Sequence, residues 1–258
     1  MRGICPLSSG SEGNLIYVGS KKTKLLFDAG ISLSKIHEKL AEIDLTLDDI
    51  DGIVISHEHS DHIKGLEQIA KHTSLPILCN ADTAKAICLM IDTRPNFKIF
   101  STGEPFTFGD IEIQPFSIQH DTLDPVAFTL TFDNIKVGIC TDLGFASNLV
   151  AHHLQNCNYL LIEANHEEAM VHACARPLIY KKRVLGRQGH LSNKACAELI
   201  EKIAHNDLKH IYLAHLSSEC NAPDVALKTI GDHLEKQGIE VPLSIAYQEK
   251  ISKAIFFD

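Results

Sequence analysis

The chain has 258 residues, 45% of them apolar and 22% charged, enough to bury a substantial core in one large domain or two small ones. Its 24 basic and 33 acidic residues give a formal charge of −9, which excludes a uniformly basic, nucleic-acid-coating protein and leaves room for a local basic face. No apolar run approaches the roughly 20 residues of a membrane-spanning helix. The opening MRGICPLSSGSEGN has neither the charged nor the apolar region of a secretion signal, so a cytoplasmic protein without a membrane partner is expected.

The first half reads mostly as short strands, apolar or alternating and bounded by Gly, Asp, Asn or Pro. They fall at 14–18, 24–28, 53–56, 77–79, 111–116, 126–132 and 136–141. Helical spacing appears at 34–43, 63–72, 81–90, 146–155, 193–205 and 223–237, with further strands at 159–163, 210–214 and 243–247. No linker or low-complexity stretch splits the chain, which predicts a single domain over 1–258. Hairpin-like strands mixed with helices predict an α/β arrangement whose sheets carry helices on their outer faces. The eight cysteines are scattered without a CxxC pair, so neither a zinc ribbon nor a redox motif is indicated.

The segment His57-Glu58-His59-Ser60-Asp61-His62 lies between an apolar strand and an amphipathic run. His57 and His59 are two apart, so both rings point to one side of an extended segment. Asp61 and His62 fall at a helix start, with Ser60 placed to cap it. Three imidazoles and a carboxylate in six residues exceed what one four-coordinate ion needs, and two ions sharing a site is the economical interpretation. A solvated polar loop would account for only one or two of these residues.

HEHSDH resembles the HxHxDH signature of the metallo-β-lactamase fold, and other signature elements follow in order: Asp28 in LLFDAG, His120 in SIQHD, Asp142 in GICTDLG and His215 in IYLAHLS. The resemblance covers roughly residues 8 to 223. Within it, LSSGSEGN, IEANHEEAM and GRQGHLSNKA look like the YycJ/WalJ-type proteins. The family implies an αβ/βα four-layer sandwich of two mixed sheets flanked by helices. It also implies a dinuclear metal site and 5′-to-3′ exonuclease action on DNA, with a metal-bridging hydroxide as nucleophile. Carried over, the resemblance gives His57, His59 and His120 to one metal, Asp61, His62 and His215 to the second, and Asp142 to both. Asp28 is then a support for the metal loop. His190 is the alternative to His215 as the late ligand. Zinc leads as the metal, with manganese or iron as alternatives. The related transfer-RNA 3′-processing nucleases use a Glu and a His in comparable context, which suggests His190 as proton donor with Glu163 orienting its ring. Asp61, besides its place as a ligand, is also expected to contribute to catalysis.

Substrate contacts are expected from three stretches. Between Glu168 and Glu198 there is no acidic residue, but there are Arg176, Lys181, Lys182, Arg183, Arg187 and Lys194, a run suited to a nucleic-acid backbone or simply to solvent. Ser9, Ser11 and Asn14 lie in a Gly-rich loop whose amides suit a terminal phosphate, or form an ordinary hairpin turn. His166 follows a strand end and is read as a substrate contact or a helix-start residue. The 22 positions from His120 to Asp142 leave no room for the long arm of the transfer-RNA nucleases, and the interval from Asp142 to His215 none for a β-CASP domain. A small-molecule metallohydrolase (lactonase, thioester hydrolase or cyclic phosphodiesterase) is the competing reading.

Overall fold

Strands rich in Ile, Leu and Val build a mixed sheet in each of two units of the computed structural model, which describes residues 1–257. In chain order the first elements are β1 (Gly3–Ser8), β2 (Leu15–Gly19), β3 (Lys24–Phe27), α1 (Leu33–Ala41), β4 (Gly52–Val54), α2 (Ser60–Ile63), α3 (Leu66–His72), β5 (Pro76–Asn80), α4 (Ala81–Met90), β6 (Asn96–Phe100) and β7 (Phe106–Phe108). Then come β8 (Ile111–Ser117), β9 (Val126–Phe132), β10 (Ile135–Cys140), α5 (Asn148–Leu154), β11 (Tyr159–Glu163), α6 (Glu168–Ala173) and α7 (Leu178–Val184). The chain closes with α8 (Asn193–Ile203), β12 (His210–Ala214), α9 (Pro223–Lys236), β13 (Leu243–Ile245) and β14 (Ile255–Phe256).

One unit comprises Met1–Ile113, Thr122–Val126 and the chain from Ala246 onward. Its sheet runs β14-β1-β2-β3-β4-β5-β6, antiparallel through β3 and parallel from β3 to β6. Its core joins Tyr17, Leu26 and Ile53 of the strands, and Ile55 just past β4, to Ile36 and Leu40 of α1 and Leu66 and Ile69 of α3. Burial of each such aliphatic side chain contributes about 1.5–3 kcal/mol. The other unit comprises Gln114–Asp121 and Ala127–Ile245. Its strands run β13-β12-β11-β10-β9-β8, parallel from β10 to β13; β11 is buried along its length, as is β12 after His210, while α9 packs on β13 and α8 packs against both α5 and α9. The expected α/β class with two mixed sheets and flanking helices is therefore met. Among the described residues no helix is long and apolar enough to cross a membrane, and all eight cysteines are unbridged.

Several elements depart from the pattern-based expectation. β1 is buried along its whole length, so it lacks the alternation that marks a half-exposed strand, and Pro6 disguises it further. α7 begins directly after Pro177 and shows no clean apolar stripe, with Leu178 and Ile179 both exposed. The helix expected at 63–72 is instead two pieces, α2 and α3, on either side of Gly65. A Cβ on Gly65 would lie 2.4 Å from the Ile31 carbonyl oxygen, so the break permits a close approach. Ser60 is not the cap: His59 holds that position and Ser60 is the first helical residue.

Among the strand ends that turn through the left-handed region without glycine, three carry candidate site residues: Asp28 (φ 61°) after β3, Asp142 (φ 55°) two residues past β10 and His215 (φ 55°) after β12. Each costs on the order of 1–2 kcal/mol, and such concentrations of backbone strain mark functional sites. Gly30 closes the first of these corners. A Cβ there would meet the Asp61 carbonyl oxygen at 1.7 Å and the Asn14 nitrogen at 2.5 Å. Gly30→Ala is expected to destabilise the chain by about 2–4 kcal/mol, measured by urea unfolding. An unchanged midpoint would show that the 56–62 loop can shift aside without cost.

Candidate metal centre

In the first unit the HEHSDH loop leaves β4 and is fixed from below by Asp28. One carboxylate oxygen, Oδ1, accepts from the Ser56 amide and hydroxyl, each at 2.9 Å, and the other lies 2.8 Å from His62 Nδ1. With Nδ1 donating to this carboxylate, His62 presents Nε2 as its basic nitrogen, 3.5 Å from Asp61 Oδ2 and 3.1 Å from Asn14 Nδ2. His57 and His62 are fully buried, with ring centroids 4.0 Å apart, and His57 Nε2 lies 3.2 Å from His59 Nδ1. Imidazole nitrogens so crowded repel one another unless a proton or a cation lies between them.

In the second unit the fully buried Glu163, at the end of β11, receives four donors. Its Oε1 accepts from His190 Nδ1 at 2.9 Å and His215 Nδ1 at 2.8 Å, and Oε2 from the Leu143 and Leu191 amides at 2.7 and 3.0 Å. Burial alone would raise this carboxyl's pKa, but the charges and hydrogen bonds of His190 and His215 prevail and hold it well below the ordinary range. Asp142 Oδ1 lies 3.5 Å from His215 Nδ1 and 3.6 Å from both His190 Nδ1 and His120 Nε2, while His120 Nδ1 reaches the Gly189 carbonyl at 3.2 Å. Asp142, Glu163, His190 and His215 offer ligand atoms within 4.8 Å of one another. Buried imidazoles and carboxylates, with their second nitrogens already committed to acceptors, are the donor set that a divalent cation takes, so each unit's residues fit a metal.

The structure also places the expected substrate contacts. In the 8–14 loop the Ser9, Gly10, Glu12, Gly13 and Asn14 amides already donate, to Tyr247 O, Asn14 Oδ1, Gln248 Oε1, Gly10 O and Asp61 O. Only Ser11 and Glu12 are exposed, and Asn14 is fully buried. The loop is thus a strut for the Asp61–His62 turn, not an open phosphate nest. Gln248 clamps it, donating to Ser8 Oγ and Gly13 O at 2.8 and 2.9 Å, a role invisible in sequence because 240 positions separate Gln248 from Ser8. The basic run is partly neutralised: Arg183 pairs with Asp121 at 2.6 Å, Arg176 pairs with Glu219, and Lys181 donates to His172 O at 2.7 Å. Lys182 is exposed on α7, and the Arg187 guanidinium lies 4.0 Å from the Phe145 ring centroid. His166 is buried, its Nδ1 without a hydrogen-bond partner, and burial pushes its pKa below the ordinary value. Asn193 and Asn221, which bond each other and tie Asn221 Nδ2 to Ala164 O at 2.8 Å, escape pattern reading for the same reason as Gln248.

A family model described as "Beta-lactamase superfamily domain" matches residues 23–216, so the chain belongs to the β-lactamase superfamily. It has the metallo-β-lactamase fold: the fold protein YhfI from Bacillus subtilis superposes with a TM-score of 0.71 at 17% identity, covering 98% of each chain. Zn(2+)-bound PqqB from Methylobacterium extorquens superposes with a TM-score of 0.71 at 11% identity, covering 98% of this chain and 99% of its own. In sequence the chain is 36% identical over 237 residues to exodeoxyribonuclease YycJ of Bacillus anthracis, covering 91% of this chain and 90% of the relative. It is 37% identical over 240 residues to exodeoxyribonuclease WalJ of Streptococcus pneumoniae, covering 91% and 89%.

Glu163→Gln keeps the shape but replaces a four-acceptor carboxylate with an amide that must turn a donor toward His190, His215 or an amide. Zinc affinity, measured by competition with a chromogenic chelator, is expected to fall about 10–100-fold. Unchanged affinity would show that the two histidines are oriented without this carboxylate.

Proposed function

We propose that this hydrolase is a dinuclear phosphodiesterase, a 5′-to-3′ exonuclease acting on DNA, with zinc as the leading metal and manganese or iron as alternatives. The observation that carries the reading is the 36% identity to an exodeoxyribonuclease across nine-tenths of both chains. Candidate ligands are His57, His59, Asp61 and His62 in the first unit and His120, Asp142 and His215 in the second. When bound, a pair of divalent ions supplies a nucleophile at neutral pH and polarises the phosphoryl oxygens.

The chain's own residues do the rest. His215 and His190 share the Glu163 carboxylate, but their surroundings differ: the His215 side chain is 2% exposed and that of His190 16%. The enclosed ring suits a ligand, whereas the one open to solvent suits proton transfer. His190 therefore gives its proton to the leaving oxygen, and Glu163, accepting from Nδ1, holds the ring in place. Lys182 and Arg187 attract the phosphate backbone, a local positive field on an otherwise acidic protein.

Purified, metal-loaded protein is to be incubated with end-labelled DNA and RNA, single- and double-stranded, bearing 5′-phosphate or 5′-hydroxyl. Release of mononucleotide from 5′-phosphorylated DNA, abolished by a chelator, is the expected outcome. Inertness toward every polymer alongside rapid ester or lactone turnover would install the small-molecule reading instead. His190→Ala is expected to lower kcat roughly 10²–10⁴-fold with metal content unchanged. Near-normal turnover would remove His190 from the proton path.

A further inference from the structure

The second unit carries an open cavity of about 360 Å³ whose wall includes His190 and to which the hydrolytic reading gives no role. Phe145, Leu185 and Leu199 supply apolar surface, and His166, Glu168 and Glu198 supply polar groups. Glu168 accepts from Ser192 Oγ at 3.3 Å, and Glu198 has only a loose pairing with Lys194 at 4.0 Å. The cation in the lining, Lys202, is turned to Asn148 Oδ1 at 2.6 Å. Away from His190, two carboxylates against one engaged ammonium make this part of the cavity unfavourable for phosphate, although it lies beside the groups expected to cleave one. An uncharged, flat group with amine hydrogens meets these walls better, because carboxylates accept from exocyclic amines.

Phe145 points to an aromatic ring system as the occupant, and His166 to a polar edge on it. Phe145 is 38% exposed and its ring carries the Arg187 guanidinium at 4.0 Å, an aromatic–arginine pair of the kind on which bases stack. The pair is fixed by close backbone packing: a Cβ on Gly144 would meet the Arg187 carbonyl oxygen at 2.5 Å. His166, also in the lining, is 1% exposed, and its Nδ1 lacks a hydrogen-bond partner. A buried imidazole left short of a partner in a cavity wall is a site awaiting a polar ligand.

We infer that this cavity receives the nucleobase of the terminal nucleotide, stacked on Phe145, and that its carboxylates favour amine-bearing bases over thymine. The inference rests on the phosphodiesterase reading and adds a base-selective pocket to it.

The test uses the whole metal-loaded chain and 5′-phosphorylated oligodeoxynucleotides that differ only in the terminal residue: cytosine, thymine or an abasic sugar. Wild type is expected to show kcat/KM about tenfold lower at the abasic end than at cytosine, the effect of losing one stacked base. Phe145→Ala is expected to lose about tenfold more at base-bearing ends than at the abasic end. Thymine is expected to fall severalfold below cytosine, and Glu198→Gln to narrow that gap. Equal rates at all three ends, or a Phe145→Ala loss that is the same with and without a base, overturn the pocket while leaving the nuclease intact. Cytosine and thymine cleaved equally overturn the amine preference. No release from any end overturns the phosphodiesterase reading and the pocket with it.

Discussion

One buried carboxylate organises the second unit. Glu163 stands at the end of β11, and its four donors come from the β10 turn, the Gly189–Leu191 segment and the end of β12. A lone carboxylate in such a place would be driven to its neutral form. Held by two imidazoles and two amides, it stays charged and in turn fixes both rings through Nδ1. Each hydrogen bond to a charged group contributes about 1.5–3 kcal/mol, so the arrangement is rigid as well as charged. Asp28 performs the same task in the first unit with Ser56 and His62. Both carboxylates settle which imidazole nitrogen remains for a cation, the arrangement by which proteins commonly orient metal-binding histidines.

The backbone contributes as much as these side chains. Asp28, Asp142 and His215 all occupy left-handed corners at or just past the ends of strands that enter parallel pairings. Parallel α/β sheets place their chemistry outside the carboxyl ends of strands, and a left-handed corner sends a side chain off the strand's line there. The strain is tolerated because the residue is held on both sides: His215 by Glu163 at its ring and by the Asn165 amide at its carbonyl.

Much of this was legible in the amino-acid pattern. HEHSDH is readable because its donors are neighbours in the chain, and most strands and longer helices follow apolar periodicity. The Glu163–His190 pairing was suggested by resemblance, yet nothing local reveals that His215 shares the same carboxylate. The neutralisation of Arg183 and Arg176 was hidden because Asp121 and Glu219 lie 62 and 43 positions away. The 8–14 loop misled for a related reason. Glycines and hydroxyls announce free amides, but whether those amides are used depends on Tyr247, Gln248 and Asp61, which only folding brings near. β1 was missed because total burial erases alternation.

The pairing of β1 with β14 carries a consequence for biosynthesis. Gly3 pairs with Phe256 and the Ser9 amide donates to the Tyr247 carbonyl, so residues made early meet residues made much later. While the ribosome is still adding the middle of the chain, the rim of the first sheet has no neighbour, and the 8–14 strut has no Gln248 to fasten it. Completion of the HEHSDH support must therefore wait until Tyr247 and Gln248 emerge. Long-range closure of this kind slows folding, and a nascent chain stalled before residue 248 would leave a strand edge open to wrong partners.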